Sequence, residues 1–159
     1  MFDKLYLYLN DNELLSNSQS GFRSGDSCIY QLISITSNIF ESFENYDETR
    51  ALFLDISKAF DKVWHLGLIH KLKAYGINGN LLNFFNDYVK NRYQRVVLNG
   101  VSSEWCSISA GVPQGSVLGP LILLIYINDL MDGISSKMFH FADDSSLFAK
   151  VDDIDLTHV

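Results

Sequence analysis

The chain has 159 residues, 47% hydrophobic and 13% aromatic, which is the length of one ordinary domain with ample material for a core and argues against disorder. Its formal net charge is −7, whereas nucleic-acid binders are usually basic. The charge is uneven: seven of the twelve Lys and Arg residues lie between Lys58 and Arg95, which leaves room for a local basic face on an acidic whole.

In chain order, the first 25 residues turn polar and Gly/Ser-bearing towards SQSGFRSGDS (18–27), where Ser24 or Asp26 is placed to cap a following helix. From Ser27 to Tyr46 the apolar residues Ile29, Leu32, Ile35, Ile39, Phe40 and Phe43 recur at helical spacing. ALFLDI (51–56) reads as a short buried strand that terminates at Asp55. KAFDKVWHLGLIHKLKAYG predicts a helix stopped by Gly76, and GNLLNFFNDYVKN a second one. YQRVVLNGVSSEWCSISA predicts two strands joined at Asn99-Gly100. GVPQGSVLGP is a Gly/Pro loop, and LILLIYINDL an apolar helix buried on most faces. FHFADDSSLFA (139–149) predicts strand, turn, strand, with the Asp pair at or entering the turn. Helices and strands mix without regular β-α-β alternation, so the fold class is α+β.

Cys28 and Cys106 have no metal-ligand spacing and are expected to be buried, reduced thiols. MFDKLYLYLN lacks the cationic start and apolar core of a signal peptide. The most apolar run, 117–127, is shorter than the roughly 20 residues that cross a bilayer. These features predict an intracellular protein, nuclear or cytoplasmic, away from membranes.

The acids carry the chemistry. Asp55 ends one apolar strand, and Asp143 and Asp144 lie at the end of another. Taken singly, Asp55 is a helix cap and the pair a solvated turn. If the two strands are sheet neighbours, three carboxylates converge, an arrangement that calls for cations. Mg²⁺ takes oxygen ligands, commonly one or two carboxylates plus substrate phosphates. Two such ions about 4 Å apart clamp the attacking and leaving oxygens of a phosphoryl transfer. In SAGVPQGSVLGP (109–120), Gly111, Gly115 and Gly119 allow close backbone approach to a ligand, and Gln114 offers a donor and an acceptor. The spacing lacks a P-loop lysine. Lys90, Arg92 and Arg95 form a basic turn, open to readings as a nucleic-acid track or a solvated face.

FLDISKAFDKVWH (53–65), AGVPQGSVLGPLILLIYINDL (110–130) and FADD (141–144), in that order, resemble the palm motifs of a reverse transcriptase, nearest to non-LTR, LINE-type retrotransposons of the Jockey-like kind. SQSGFRSGDS is similar to the family's Gln-x-Gly-Phe-Arg segment, and LNFFNDYVKNRYQRVVLNG to its connecting helix and strand. The likeness spans roughly residues 10 to 150.

The resemblance implies a right-hand polymerase palm with part of the fingers and no thumb: residues 1–50 on the fingers side, 51–150 as palm, 151–159 as a truncated continuation. It implies RNA-directed DNA synthesis from an RNA template, a DNA primer and dNTPs with two Mg²⁺ ions, for which Mn²⁺ substitutes. Asp55 and Asp143 match direct metal ligands, and Asp144 supports the metal site. Phe60 matches the bulky residue that stacks under the incoming sugar and favours dNTPs. Gln114 and Gly115 match residues near nucleotide and template, and Arg23 a finger arginine suited to phosphate. The family's longer basic finger region, thumb and endonuclease are not seen in the sequence, which reads as a fragment. The alternative is a non-catalytic, retrotransposon-derived relic or nucleic-acid-binding domain, for which three retained carboxylates have no use.

Overall fold

A computed structural model describes residues 1–45, 48–130 and 132–151. The architecture is α+β, with six helices and seven strands among the described residues. The described residues divide into two compact units, one built from 1–14 and 58–127, the other from the described parts of 15–57 and 128–151.

The first unit is organised around α6 (Leu118–Ile127), whose residues Leu121 to Ile125 are all buried. A helix apolar on every side must be surrounded; here its neighbours are α1 (Phe2–Asp11), α3 (Ala59–Lys62) and α4 (His65–Ala74). Lys71 of α4 donates to the carbonyl of Tyr126 in the last turn of α6, where a cation also meets the negative end of the helix dipole. The stretch from Lys58 to Gly76 is two helices rather than one, separated at Val63 and Trp64. Gly76 ends α4 with φ +83° as expected. The next helix, α5 (Gly79–Val89), packs on α4 and buries Phe85 and Val89. Beyond it lie two short ladders, β2 (Arg92–Gln94) with β5 (Cys106–Ile108) and β3 (Val97–Leu98) with β4 (Val101–Ser102). Asn99 and Gly100, at φ +50° and +79°, make the predicted tight hairpin turn. Helix α1 went unread in the sequence, although Leu5 and Leu9 are buried on one side and Phe2 stacks on Tyr6 one turn away.

The second unit is an antiparallel sheet in the order β1–β7–β6, from β1 (Glu48–Asp55), β7 (Asp144–Val151) and β6 (Lys137–Phe141), with α2 (Cys28–Glu44) against β1 and β6. The cap of α2 is Ser27, whose hydroxyl accepts from the Tyr30 amide at 3.3 Å, while Asp26 accepts from the Ser27 amide. Two expectations about burial fail in this unit. Helix α2 buries Gln31, Asn38 and Ser42, while Leu32, Ile33, Phe40 and Phe43 are each more than half exposed. Small polar residues allow the helix to approach closely, and Ser42 satisfies its own hydroxyl on the Asn38 carbonyl at 3.2 Å. The apolar run of β1 predicts a buried strand, yet Leu52, Phe53 and Leu54 are exposed; such a run marks a strand without saying which of its faces is covered. Cys28 and Cys106 also depart from expectation: both are exposed free thiols, each the first residue of its element rather than an interior one.

Burial, not apolarity alone, sets the cost of truncation. Leu68→Ala in α4 is expected to destabilise by about 2–5 kcal/mol, and Phe43→Ala in α2 to stay within about 0.5 kcal/mol. Urea unfolding of the two variants checks this; equal losses would contradict the burial pattern.

Candidate metal and nucleotide site

The ladder between β1 and β7 ends on two acids. Asp55 and Asp144 are Cα partners in its last pair, and Asp144 is in turn the partner of Phe141 on β6. Direct partners on an antiparallel ladder point to the same face, with Cβ atoms about 4.5–5.5 Å apart. That face also carries Phe53, Phe139 and Phe148, whose rings meet edge to face at 6.1 Å and 5.7 Å. Asp55 and Asp144 are exposed and Asp143 is half-buried. Neighbouring strands therefore do bring the two acidic motifs together. The register pairs Asp144 with Asp55, whereas the sequence reading assigned the direct role to Asp143, which lies in the turn just before β7.

Like charges opposite one another on a ladder are destabilising. None of the three carboxylates has a hydrogen-bond or ion-pair partner among the described residues. Among those residues no group of three or more His, Cys, Asp or Glu side chains is arranged to hold a metal ion. An all-protein cage is thus not what the acids form. Two facing carboxylates open to water nevertheless fit Mg²⁺, a hard cation commonly held by one or two carboxylates with waters and substrate phosphates completing its shell.

The turn between β6 and β7 is Ala142-Asp143, with Ala142 at φ +57°. Behind it His140 is buried, and its Nδ1 lies 2.7 Å from the Ser145 hydroxyl. Burial holds the His140 pKa below its ordinary value, opposed by a hydrogen bond to the Asp144 backbone. Arg23, half-buried in the same unit, donates to the Ser16 carbonyl at 3.0 Å, so part of its guanidinium binds its own segment.

The other unit holds the remaining predicted residues. Phe60 is half-buried in α3, and Asp61 beside it accepts from Gln114 Nε2 at 2.8 Å. The Gly-rich loop is fastened to the same short segment. The amides of Gly111 and Val112 donate to the carbonyls of Val63 and Phe60, each at 2.8 Å. The Gly111 carbonyl lies 2.8 Å from His65 Nε2 and accepts from Arg92 at 2.7 Å. Sequence reading missed His65, and Arg92 donates to the Gly111 and Val89 carbonyls; Arg95 lies over the Trp105 ring at 4.7 Å. Gly111, at φ +83°, has no room for a Cβ, which would fall 2.8 Å from the Asp61 backbone. Gly115, at φ +73°, stands in open space, and Gln114 is exposed.

The family model for reverse transcriptase (RNA-dependent DNA polymerase) matches residues 2–158. Over 141 residues the chain is 34% identical to the "Probable RNA-directed DNA polymerase from transposon BS" of Drosophila melanogaster, covering 85% of this chain and 14% of that protein. It is 33% identical over 140 residues to the RNA-directed DNA polymerase from mobile element jockey of the same organism, covering 83% of this chain and 15% of that protein. Against the jockey polymerase of Drosophila funebris the identity is 37% over 112 residues, covering 70% of this chain and 12% of that protein. The chain thus matches only about one seventh of the length of such relatives.

Two predictions come from this geometry. Gly111→Ala is expected to cost about 2–4 kcal/mol, from left-handed strain plus the backbone clash, and Gly115→Ala only about 1–2 kcal/mol from strain alone; thermal or urea unfolding ranks them. Because the folded-state pKa of His140 is depressed, the unfolded chain binds the extra proton. The stability contributed by neutral His140 is present above about pH 6.5 and lost as pH falls below it. A urea midpoint followed against pH should show this decline in the wild type, and His140→Asn should lack it.

Proposed function

The chain belongs to the reverse transcriptase (RNA-dependent DNA polymerase) family, and on that premise we propose that it carries the metal centre of an RNA-directed DNA polymerase of a non-LTR retrotransposon. In this reading residues 51–150 are the palm and 1–50 its fingers side, both parts of a longer right-handed polymerase. The reaction transfers a nucleotidyl group from a dNTP to a primer 3′-hydroxyl on an RNA template and releases pyrophosphate. The observation that carries the reading is the ladder register, in which Asp55 and Asp144 are partners and Asp143 is the preceding turn residue.

The side chains of Asp55 and Asp144, with Asp143 beside them, would hold divalent cations. When bound, Mg²⁺, or Mn²⁺ in its place, supplies Lewis acidity at the reacting phosphate and the primer hydroxyl. Asp55 and Asp144 sit on strands, so their carboxylates are held at fixed positions and little reorganisation remains for the reaction. Phe60 would lie under the incoming sugar and exclude a ribose 2′-hydroxyl. Gln114 and Gly115 would line the nucleotide and template path, with Asp61 orienting the Gln114 amide. Arg23 would meet a phosphate through its guanidinium.

The net charge of −7 favours a second reading, a non-catalytic retrotransposon-derived domain, because phosphate contacts need cations. Primer extension on an RNA template with Mg²⁺ and dNTPs separates the two. Under the polymerase reading the wild type extends the primer and Asp55→Asn, which keeps size but loses charge, drops the rate by at least about 10³-fold, the several kcal/mol of charge stabilisation a metal provides. Extension by Asp55→Asn within a few-fold of wild type would sink the metal assignment. RNA binding by a wild type that extends nothing supports the second reading.

A further inference from the structure

The turn that carries Asp143 and leads into Asp144 is strained. Ala142 adopts φ +57°, a left-handed conformation costly for any residue with a Cβ. Such a residue persists only where its surroundings hold it. Here the holding group is one side chain from far away in the sequence. Gln19 Nε2 donates to the Ala142 carbonyl at 2.9 Å, and Gln19 Oε1 accepts from the Ala142 amide at 2.8 Å. The same Oε1 accepts from the Gly21 amide at 2.8 Å.

Gln19 is itself buried, and its amide uses both lone pairs of Oε1 and one of its two N–H donors on the turn and on the segment it belongs to. That segment lies along β6: the Ser20 amide donates to the His140 carbonyl and the His140 amide to the Ser18 carbonyl, both at 2.8 Å. Gly21 completes the arrangement. A Cβ there would fall 2.0 Å from the Ala142 nitrogen, so only glycine lets the two backbones lie together. Gln19, one intervening residue and Gly21 therefore form a single device. The glutamine grips both polar groups of Ala142, and the glycine makes space for it.

We propose that Gln19 is a positioning residue for the aspartates: by holding Ala142 left-handed it fixes the direction in which Asp143 and Asp144 leave the turn, and hence their affinity for a divalent cation. The proposal rests on the metal-centre reading given above. Gln19 touches neither metal nor substrate. Its action is that of an outer-shell partner, whose removal typically weakens metal binding about 10–100-fold.

The test uses the whole chain and Mn²⁺ as probe, read by its electron paramagnetic resonance, with amide hydrogen exchange at Gly21 and Ala142 measured alongside. Gln19→Leu removes all three hydrogen bonds; Gln19→Asn, one methylene shorter, keeps the polarity and is read in the same way should the leucine variant not fold. In a folded variant the expected result is faster exchange at both amides and Mn²⁺ binding weakened at least about 10-fold. A merely structural role for Gln19 would lower the melting temperature and leave Mn²⁺ affinity, measured well below it, where it was. Wild-type chain that binds Mn²⁺ and a folded Gln19 variant that binds it equally would overturn this inference and leave the metal centre standing. Wild-type chain that binds no Mn²⁺ would overturn both.

Discussion

Two carboxylates facing each other on the last rung of a β-ladder are the constraint around which the sheet unit is built. Asp55 and Asp144 close a ladder of eight residue pairs, and the other seven hold them in register. In the middle of a sheet such a pair would be desolvated and costly. At the end of the ladder water reaches both, so each carboxylate keeps its hydration. The edge-to-face cluster of Phe53, Phe139 and Phe148 on the same face stiffens the strands just behind the acids.

The two units are held by different physics. Around α6 the interior is apolar, with Leu121 to Ile125 buried among α1, α3 and α4, and burial of area dominates. In the sheet unit the buried set includes Gln19, Gln31, Asn38, Ser42, His140 and Ser145, of which Gln19, Ser42, His140 and Ser145 are hydrogen-bonded through their side chains while Gln31 Oε1 has no partner among the described residues. Polar interiors of this kind stabilise only when their members are paired, and they then specify one geometry sharply. An apolar core tolerates small shifts. A glutamine bonded to both ends of one residue does not. The same contrast recurs at the Gly-rich loop, where Gly111 is pinned at its amide and its carbonyl while Gly115 stands free.

Several elements were legible because their causes are local. The Asn99-Gly100 turn follows from which residues tolerate positive φ, the stop at Gly76 from the same property, and the buried helix from the apolar run that opens LILLIYINDL (121–130), although the helix spans Leu118–Ile127 and so starts inside the expected Gly/Pro loop. Local reasoning failed where partners were distant. The apolar periodicity of α2 announced a helix correctly but not which side faces the sheet, because the neighbours chosen were Asn38 and Ser42 rather than Phe40 and Phe43. The helix over Phe2–Asp11 was passed over because only Leu5 and Leu9 mark its buried side.

From sequence alone came the α+β class, the family, and the three aspartates as the residues to watch, since a motif is a statement about residue types at fixed spacing. Tertiary structure decided that Asp144 rather than Asp143 stands opposite Asp55, that β1 lies open at a sheet edge, and that Gln19 holds a turn 123 residues away. The reason is that register, burial and long-range hydrogen bonds are properties of pairs. Chain order names each member of a pair, and only the folded backbone brings the two within bonding distance.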